Sequence, residues 1–425
     1  MRLRAALFVA VATVALSLPP GALAQVQTLV FDSAPITIGP YGVARDVQLA
    51  PSPRADGYVV GMKASLVDVL GNPVPDTDVM LHHIVFAKLG VPDATCSSLV
   101  GYDGRRSPIQ TQRFYAEGEE HFALSLPDGY GYPNRATDTW GLLYMLMNHH
   151  DRASTVQIRY AVTYAVGESL TSVKPIWLDV RNCRADPIFN VPGTGGPGSS
   201  YSRRTDWVSP DSGVVVAAGS HLHGGGLSLD VADTSCGSLF TSYPIWGGIE
   251  PRPVMHEPGP VAMTGFSDPA GRPVRAGDTL RLTATYDNSR PHVRVMGISL
   301  LYFAPRAVTS CRAYTSPRPE PTVPELVTIA LLKQPVGAMQ RVRSTWVADY
   351  AFGAQRVTIR RGTRFTWHFA GASPHDVTLA TGPVGFASPD LTHGSFSFRF
   401  TRPGTYRLFC ALHPSRMTQV IRVRR

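Results

Sequence analysis

The 425-residue sequence lacks several features that would place it in common protein classes. Beyond residue 25, no stretch is long and apolar enough to cross a bilayer as a helix. The same region has no sustained 3.6-residue periodicity, so amphipathic helices are not expected. Basic residues are not gathered with aromatics, and the net charge of +9 therefore indicates solvated surfaces and not a nucleic-acid-binding face. We expect neither a membrane span in the mature protein nor a nucleic-acid partner.

The first 25 residues have the three parts of a secretion signal. Arg2 and Arg4 form a basic start, an apolar segment follows, and Ala22 and Ala24 provide a small-residue cleavage site. This pattern predicts cleavage after Ala24 and a secreted or periplasmic protein.

Cysteine is scarce, with five in the chain, and the number is odd. Four cysteines of an exported protein can form two disulfides. The pairs Cys96–Cys183 and Cys236–Cys311 are preferred because each would stay within one predicted domain, but three connectivities remain open. Cys410 is then left over and needs another role.

Short alternating apolar runs separated by turn residues are abundant, with 39 glycines and 36 prolines in the chain. This pattern predicts an all-β protein of many short strands. The length suggests two or three domains. A Gly, Pro and Ser-rich linker at 186–204 and a Pro-rich linker at 313–325 would separate them. The expected divisions are a signal peptide at 1–25 and domains at 26–185, 205–312 and 326–425.

The segment CALHPSRM places Cys410, His413 and Met417 in one loop. Two histidines, a thiolate and a weak axial methionine form the ligand set of a blue copper site that transfers single electrons. His375, at the start of an alternating run, is the candidate for the other histidine. This constellation resembles the cupredoxin family, of the plastocyanin and pseudoazurin type, over about residues 325–425. The resemblance implies a Greek-key β-sandwich with type 1 copper held by these four side chains.

Histidines also occur in pairs upstream, beside apolar strands. His82 and His83 are adjacent, and adjacent strand residues point to opposite faces unless the strand ends or bulges there. His221 and His223 are two residues apart, so on a strand both imidazoles point to one face and can reach one ion. The full set in chain order is His82–His83, His149–His150, His221–x–His223 and Met296.

This ordered set, spread over residues 80–303, resembles the copper type II monooxygenases, which include peptidylglycine α-hydroxylating monooxygenase and dopamine β-hydroxylase. The resemblance implies two consecutive β-sandwich domains, jelly-roll-like, each holding one copper. The ligands implied for the first, electron-accepting copper are His82, His83 and His149, with His150 the alternative to His149. The ligands implied for the second, oxygen-binding and catalytic copper are His221, His223 and Met296. A thioether suits Cu(I), the state that reacts with oxygen.

The resemblance implies a copper-dependent monooxygenase that inserts one atom of O2 into a C–H bond of a small-molecule substrate. The reaction needs two electrons, which in the family come from ascorbate. Here the tethered cupredoxin domain would supply or relay them, from ascorbate or an external redox partner. Up to three copper ions per chain are expected. The alternative is a non-enzymatic exported protein for electron transfer or copper handling, which would carry the same ligands.

Peptide-amidating members hold the substrate carboxylate with polar side chains that this sequence does not have. Their arginine before His-x-His corresponds to Gly219, and their asparagine and tyrosine after the methionine correspond to Ile298 and Leu300. Their glutamine before the third histidine is Met147. Because discrimination of this kind depends on paired polar groups, we expect a less polar substrate than a peptidylglycine. The histidines to which no metal is assigned are His121, His256, His292, His368 and His393.

Overall fold

The computed structural model describes residues 25–101, 104–247, 259–320, 333–414 and 416–425. Over these ranges the chain forms 33 β-strands and no helix, which confirms the all-β sandwich class expected from the sequence. No described element is a helix that could span a membrane. The predicted secretion signal, apart from its last residue, lies outside the described residues.

The first unit is a sandwich of two sheets that share a buried hydrophobic core. Its strands are β1 (Gln25–Asp32), β2 (Ile36–Ile38), β3 (Val43–Ala50), β4 (Gly57–Asp68), β5 (Val79–Leu89), β6 (Ser98–Val100), β7 (Arg106–Pro108), β8 (Thr111–Gly118), β9 (Leu124–Ser125), β10 (Tyr130–Asn134), β11 (Trp140–Asn148), β12 (Ser154–Val166) and β13 (Thr171–Ser172). One sheet has the order β1-β12-β4-β10-β13, with β2 beside β12 and β9 beside β4. The other has the order β3-β11-β5-β8 and carries the first histidine pair.

The second unit is built around two four-stranded sheets. Its strands are β14 (Lys174–Asp179), β15 (Phe189–Val191), β16 (Ser200–Val208), β17 (Gly213–Leu222), β18 (Gly226–Asp233), β19 (Gly237–Ser242), β20 (Pro244–Ile245), β21 (Ala262–Met263), β22 (Phe266–Val274), β23 (Thr279–Asp287), β24 (His292–Val295) and β25 (Gly297–Pro305). The sheets have the orders β14-β25-β17-β22 and β16-β23-β18-β19.

Strand pairing bears on the predicted limits between these two domains. Residues 174–179, expected to end the first domain, form β14 and pair with β25 of the second unit. The segment 186–204, expected to be a linker, contributes β15 and the beginning of β16. Sheet membership therefore groups the chain from β14 onward with the second unit.

The third unit is the sandwich expected at the C-terminal part of the chain. Its strands are β26 (Ser344–Ala348), β27 (Ala351–Phe352), β28 (Arg356–Arg360), β29 (Arg364–His375), β30 (Thr378–Thr381), β31 (Leu391–Arg399), β32 (Gly404–Phe409) and β33 (Thr418–Arg424). The sheets are β27-β26-β29-β31 and β28-β33-β32-β30, each with one parallel pair. Trp367 is fully buried between them, and its indole N–H donates to Gln419 Oε1 at 2.9 Å.

The first and second units share one hydrophobic core. Alternate residues of β25, Leu300 and Tyr302, join the buried cluster of the first unit. The Tyr302 hydroxyl donates to the carbonyl oxygen of Phe114 on β8 at 2.9 Å. The two sandwiches therefore pack as one body, and groups at their interface are held in a fixed relation.

Both preferred disulfides are present, so this prediction is confirmed. Cys96 and Cys183 are joined, with a Cα–Cα distance of 5.6 Å, and the bond links a loop of the first unit to the residues after β14. With a sequence separation of 87 between the two cysteines, the chain-entropy model gives a stabilisation of about 4.6 kcal/mol. Cys236 and Cys311 form the second bond, within the second unit.

Candidate metal centres

The loop between β32 and β33 carries three of the predicted copper ligands. After Phe409 the chain turns, and the N–H of His413 donates to the carbonyl oxygen of Cys410 at 3.1 Å. The N–H of Met417 donates to His413 O, and the N–H of Cys410 donates to Met417 O, both at 3.1 Å. These bonds close the loop and bring Cys410, His413 and Met417 to the same end of the third unit.

The fourth predicted ligand, His375 at the end of β29, meets this loop. Its Nδ1 lies 3.2 Å from His413 Nδ1, and Cys410 Sγ lies 3.5 Å from the same His413 atom. One ligand atom each of His375, Cys410 and His413 lies within 4.8 Å of the others. Met417 is fully buried in the same core cluster as Cys410. Two imidazole nitrogens, a thiol and a nearby thioether are a donor set that fits copper.

Neighbouring groups orient these side chains. Asp349 accepts a hydrogen bond from His375 Nε2 at 2.7 Å, which leaves His375 Nδ1 to face the cysteine. The backbone N–H of Asp376 donates to Cys410 Sγ at 3.5 Å. Burial, followed by the charge of Asp376, raises the pKa of the Cys410 thiol. A metal bound here must therefore displace the thiol proton. Burial, together with the charge on His375, lowers the pKa of His413 to about 4 and keeps that imidazole neutral.

His82 and His83 lie at a β-bulge where β5 pairs with β11. Met145 is opposite His83 and Leu146 is opposite Leu81, so His82 is the extra residue. A bulge removes the alternation of faces, and the Nδ1 atoms of the two histidines approach to 3.0 Å. Both side chains are buried. This is the local distortion that two adjacent histidines need in order to reach one ion.

The second histidine motif lies at the end of β17. His221 is within the strand, His223 follows it, and their ring centroids are 4.9 Å apart. Tyr286 connects this motif to Met296, since its hydroxyl accepts from His223 N–H at 2.9 Å and donates to Met296 O. Both Tyr286 and Met296 are buried. The backbone of the predicted oxygen-side ligands is thus held by one phenol.

The two motifs meet across the interface between the first and second units. The ring centroids of His82 and His223 are 5.1 Å apart, almost the same separation as within each motif. Burial, followed by the charge on His221 and on Arg45, lowers the pKa of His83 to about 3, so this imidazole is neutral. We call the four residues that meet here the histidine cluster: His82, His83, His221 and His223.

Glu120 of the first unit holds His221 of the second. Its Oε2 lies 2.8 Å from His221 Nδ1, and both side chains are buried. His221 Nε2 is also buried, and it has no hydrogen-bond partner among the described residues. A histidine that donates from one nitrogen to a carboxylate and directs the other at no protein group has the arrangement of a metal ligand. Burial lowers the pKa of His221, but the charge and hydrogen bond of Glu120 outweigh it, and the net pKa is raised.

His149 and His150 follow β11, four and five residues beyond Met145. His149 is buried, and its N–H extends the ladder by donating to Asp78 O at 3.0 Å. His150 is half-buried, with Nε2 3.1 Å from Asp78 Oδ1. Burial thus favours His149 of the doublet. Among the described residues, His149 does not form with His82 and His83 a group whose ligand atoms all lie within 4.8 Å.

The other histidines have the following places. His121 is hydrogen-bonded to Asp76 at 2.7 Å and lies 3.4 Å from Glu117. His368 and His393 are exposed on β29 and β31. His292 is buried beside the Tyr286 ring. The described residues do not include His256.

An apolar cavity of about 50 Å³ adjoins the histidine cluster between the first and second units. His83, His221 and Met296 line it, together with side chains such as Leu143 and Trp177. The positions Gly219, Ile298 and Leu300, where amidating enzymes carry polar anchors, also line it. A Cβ atom on Gly219 would lie 2.5 Å from the ring of Phe122, so this position accommodates no side chain.

A second cavity, of about 220 Å³, lies between the histidine cluster and the third unit. His82, His223 and Met296 contribute to its lining. Phe409 and Ala411, the residues on either side of Cys410, also line it. The two candidate metal centres are therefore separated by one shared cavity.

The comparisons with known proteins point to copper. No family model matches the chain. The chain is 28% identical over 247 residues to a probable copper-dependent oxygenase of Cochliobolus lunatus. The aligned region covers 52% of this chain and 71% of that protein. The chain is also 32% identical over 79 residues to amicyanin-alpha of Methylorubrum extorquens. That aligned region covers 18% of this chain and 66% of amicyanin-alpha. Copper is the metal that these likenesses support.

Two solved structures are similar to part of the chain. A purple cupredoxin from Nitrosopumilus maritimus is 24% identical and covers 20% of this chain and 100% of its own, with a TM-score of 0.18. A Cu(I) form of an amicyanin variant is also 24% identical and covers 19% and 80%, with a TM-score of 0.18. TM-scores this low support no conclusion about the chain. The sequence likeness to the oxygenase and the donor sets above together support a copper protein with an oxygenase-like part.

Several residues that shape the centres were not predicted from the sequence. Glu120 belongs to the first unit, whereas His221, to which it is hydrogen-bonded, belongs to the second. The polar sequence around Glu120 is typical of an exposed turn and gives no sign of this contact. Tyr286 and Asp349 are likewise remote in sequence from the residues they contact. Only the pairing of distant strands reveals these partners.

Proposed function

We propose that this protein is an exported copper-dependent monooxygenase that hydroxylates a C–H bond, with a cupredoxin unit that supplies or relays electrons. The observation that carries the proposal is the His221–Glu120 pair. It leaves a buried imidazole nitrogen directed at no described protein group, beside Met296 and an apolar cavity. The chain's likeness to a probable copper-dependent oxygenase supports the choice of reaction.

The ligand sets that we propose are those that the sequence resemblance implies. They are His82, His83 and His149 for the first ion, His221, His223 and Met296 for the second, and His375, Cys410, His413 and Met417 for the third. Bound copper would supply one-electron redox chemistry and activation of O2. One oxygen atom would enter the substrate and the other would leave as water. The two electrons that this requires would come from ascorbate or a redox partner.

The protein's own contribution is positioning and exclusion of water. Glu120 fixes the ring of His221, and Tyr286 fixes the backbone of both His223 and Met296. The bulge at His82 turns two adjacent imidazoles toward one region. Apolar walls keep the site dry, which strengthens every electrostatic interaction inside it.

The substrate we propose is a largely apolar small molecule and not a peptidylglycine. Gly219, Ile298 and Leu300 offer no group that could pair with a carboxylate. Phe122 occupies the space that a side chain at position 219 would need. An anionic substrate brought into this cavity would lose its hydration without compensation.

Export is proposed on two grounds. The predicted secretion signal and its cleavage after Ala24 provide the first. The two disulfides provide the second, because such bonds persist in oxidising compartments outside the cytoplasm.

The copper content and visible spectrum of the purified protein test the proposal. We expect three copper ions per chain, one of them intensely coloured through Cys410. In His221→Ala the coloured centre should stay, one ion should be lost, and O2 consumption should stop. His393→Ala, which alters an exposed histidine, serves as the matched control. A wild-type protein with one coloured copper and no ion in the histidine cluster would contradict the oxygenase and favour an electron carrier.

A further inference from the structure

Five charged side chains meet where the three units join. Arg294 contacts Asp376 at 3.0 Å, Asp390 at 3.4 Å and Asp186 at 3.6 Å. Arg45 contacts Asp390 at 2.8 Å. None of the five side chains is more than 15% exposed. We call this group the junction cluster.

The junction cluster connects all three units. Arg45 lies on β3 of the first unit and Arg294 on β24 of the second, whereas Asp376 and Asp390 belong to the third. Exposed ion pairs contribute little to stability, but removing one partner of a buried pair leaves an uncompensated charge and is strongly unfavourable. These contacts therefore contribute to the orientation of the third unit, together with the Gly385 N–H, which donates to Pro192 O at 3.1 Å.

On one side, the junction cluster touches the Cys410 loop. The Asp376 N–H donates to Cys410 Sγ, and the Asp376 carboxylate accepts from the N–H of Ala411. Thr378 also donates to this carboxylate. These bonds lie within the third unit, so the local structure around Cys410 does not depend on Arg294.

On the other side, the junction cluster reaches the histidine cluster. Arg294 is two residues before Met296, and its φ of 55° is in the left-handed region that arginine seldom adopts. Met296 O in turn accepts from Tyr286, which also accepts from His223 N–H. Arg294 is therefore linked by contacts to both candidate centres, and it is part of the cavity wall that they share.

We propose that Arg294 is a positioning residue that holds the Cys410 loop against the cavity lined by His82, His223 and Met296. The third unit then has one fixed arrangement, and it need not move to deliver electrons. With copper held at Cys410 and in the histidine cluster, the ions would supply one-electron transfer from the first centre to the second, no atom would be transferred, and a donor of the ascorbate class would supply the electron. The electron-delivery part rests on the proposed function, but the positioning part does not.

The copper-free full-length protein tests the positioning part. In Arg294→Gln, amide hydrogen exchange at Gly385, whose N–H donates across the junction to Pro192 O at 3.1 Å, should become about tenfold faster. The lost buried pair shifts the population toward an undocked unit by at least that factor. Arg294→Lys should recover part of the protection. Arg281→Gln is the matched control, since it breaks an exposed pair with Asp206, at 2.7 Å, in the same unit.

The copper-loaded protein tests the consequence. After flash reduction, electron transfer between the centres should be slower in Arg294→Gln in proportion to the fall in the docked fraction that the exchange measurement gives, while the absorption of the Cys410 centre is unchanged. Should Arg294→Gln fail to fold, Asp390→Asn weakens the contacts of both arginines and should give a smaller slowing of the same kind. Unchanged exchange and transfer in the folded variants would overturn the inference. Failure of the wild-type histidine cluster to bind copper would instead refute the proposed function, and the copper-free measurement would still decide the role of Arg294.

Discussion

Removing the Glu120 carboxylate should weaken one copper site without affecting the Cys410 centre. Glu120 lies 2.8 Å from His221 Nδ1, is 5% exposed, and fixes which nitrogen of the imidazole can face a metal. Loss of such a partner typically reduces metal affinity by about 10- to 100-fold. In free energy this is about 1.4 to 2.7 kcal/mol. The substitution Glu120→Ala also leaves His221 Nδ1 buried and unpaired, which should lower the free energy of unfolding by about 1 to 3 kcal/mol.

The pH dependence gives this prediction a further test. In the wild type, Glu120 raises the pKa of His221, so protons compete with the metal as the pH falls. Without Glu120, burial dominates and the pKa of His221 falls, which removes that competition. The affinity lost in Glu120→Ala should therefore be largest at mildly alkaline pH and smaller at acidic pH. Glu120→Gln, which can accept the hydrogen bond without the charge, should lie between the alanine variant and the wild type.

Copper titration against a competing chelator is the appropriate assay, with the Cys410 centre followed separately through its absorption. The control is Asp206→Asn, which removes a carboxylate that pairs with Arg281 at 2.7 Å in the second unit. If Glu120→Ala binds the same number of copper ions with wild-type affinity, His221 is not a ligand held by Glu120. The reasoning about the histidine cluster would then be wrong.

Three other substitutions test separate parts of the structure. Met296→Ala should abolish O2 consumption and leave the blue absorption intact, and loss of both would indicate a misfolded variant. Asp349→Asn removes the anionic partner of His375, a proposed ligand of the blue copper centre. The reduction potential of that centre should then rise, as measured in a redox titration. A lower potential would contradict this role of Asp349. Hydrogen bonds to Asp76 and Glu117 raise the pKa of His121 to about 10. The protonated imidazole therefore stabilises the fold fully below about pH 6.5, the ordinary pKa of histidine. This stabilisation is lost as the pH rises toward 10. The difference in melting temperature between wild type and His121→Gln should accordingly shrink over this range, and a constant difference would refute the ion pair.

The sequence predicted best those features whose residues are close in the chain. The Cys410 loop is one example, because Cys410 and His413 lie in a single turn and only His375 comes from elsewhere. The common face of His221 and His223 is another, because strand geometry alone determines it. The disulfides could also be anticipated, since pairing near neighbours among four cysteines left few choices.

Features that depend on strand register could not be predicted. The bulge at His82 exists only because Met145 and Leu146 pair with His83 and Leu81, and no local pattern signals that register. The membership of residues 174–179 in the second unit likewise follows from pairing with β25. The predicted break at 186–204 marked a turn-rich segment, but the hydrophobic core that the first and second units share has residues on both sides of it. The buried core of the third unit, by contrast, lies wholly after the predicted break at 313–325.

The location of the histidine cluster implies that the metal site and the interface are formed together. His82 packs against His223 across the two units, and Glu120 of the first unit orients His221 of the second. Neither unit alone could assemble the site, so the shared hydrophobic core is also the scaffold of the chemistry. A ligand that binds only the assembled state stabilises it by mass action, and copper should therefore raise the resistance of this interface to unfolding. The third unit takes part in the same arrangement, because its junction cluster brings the Cys410 loop to a cavity that the first two units complete.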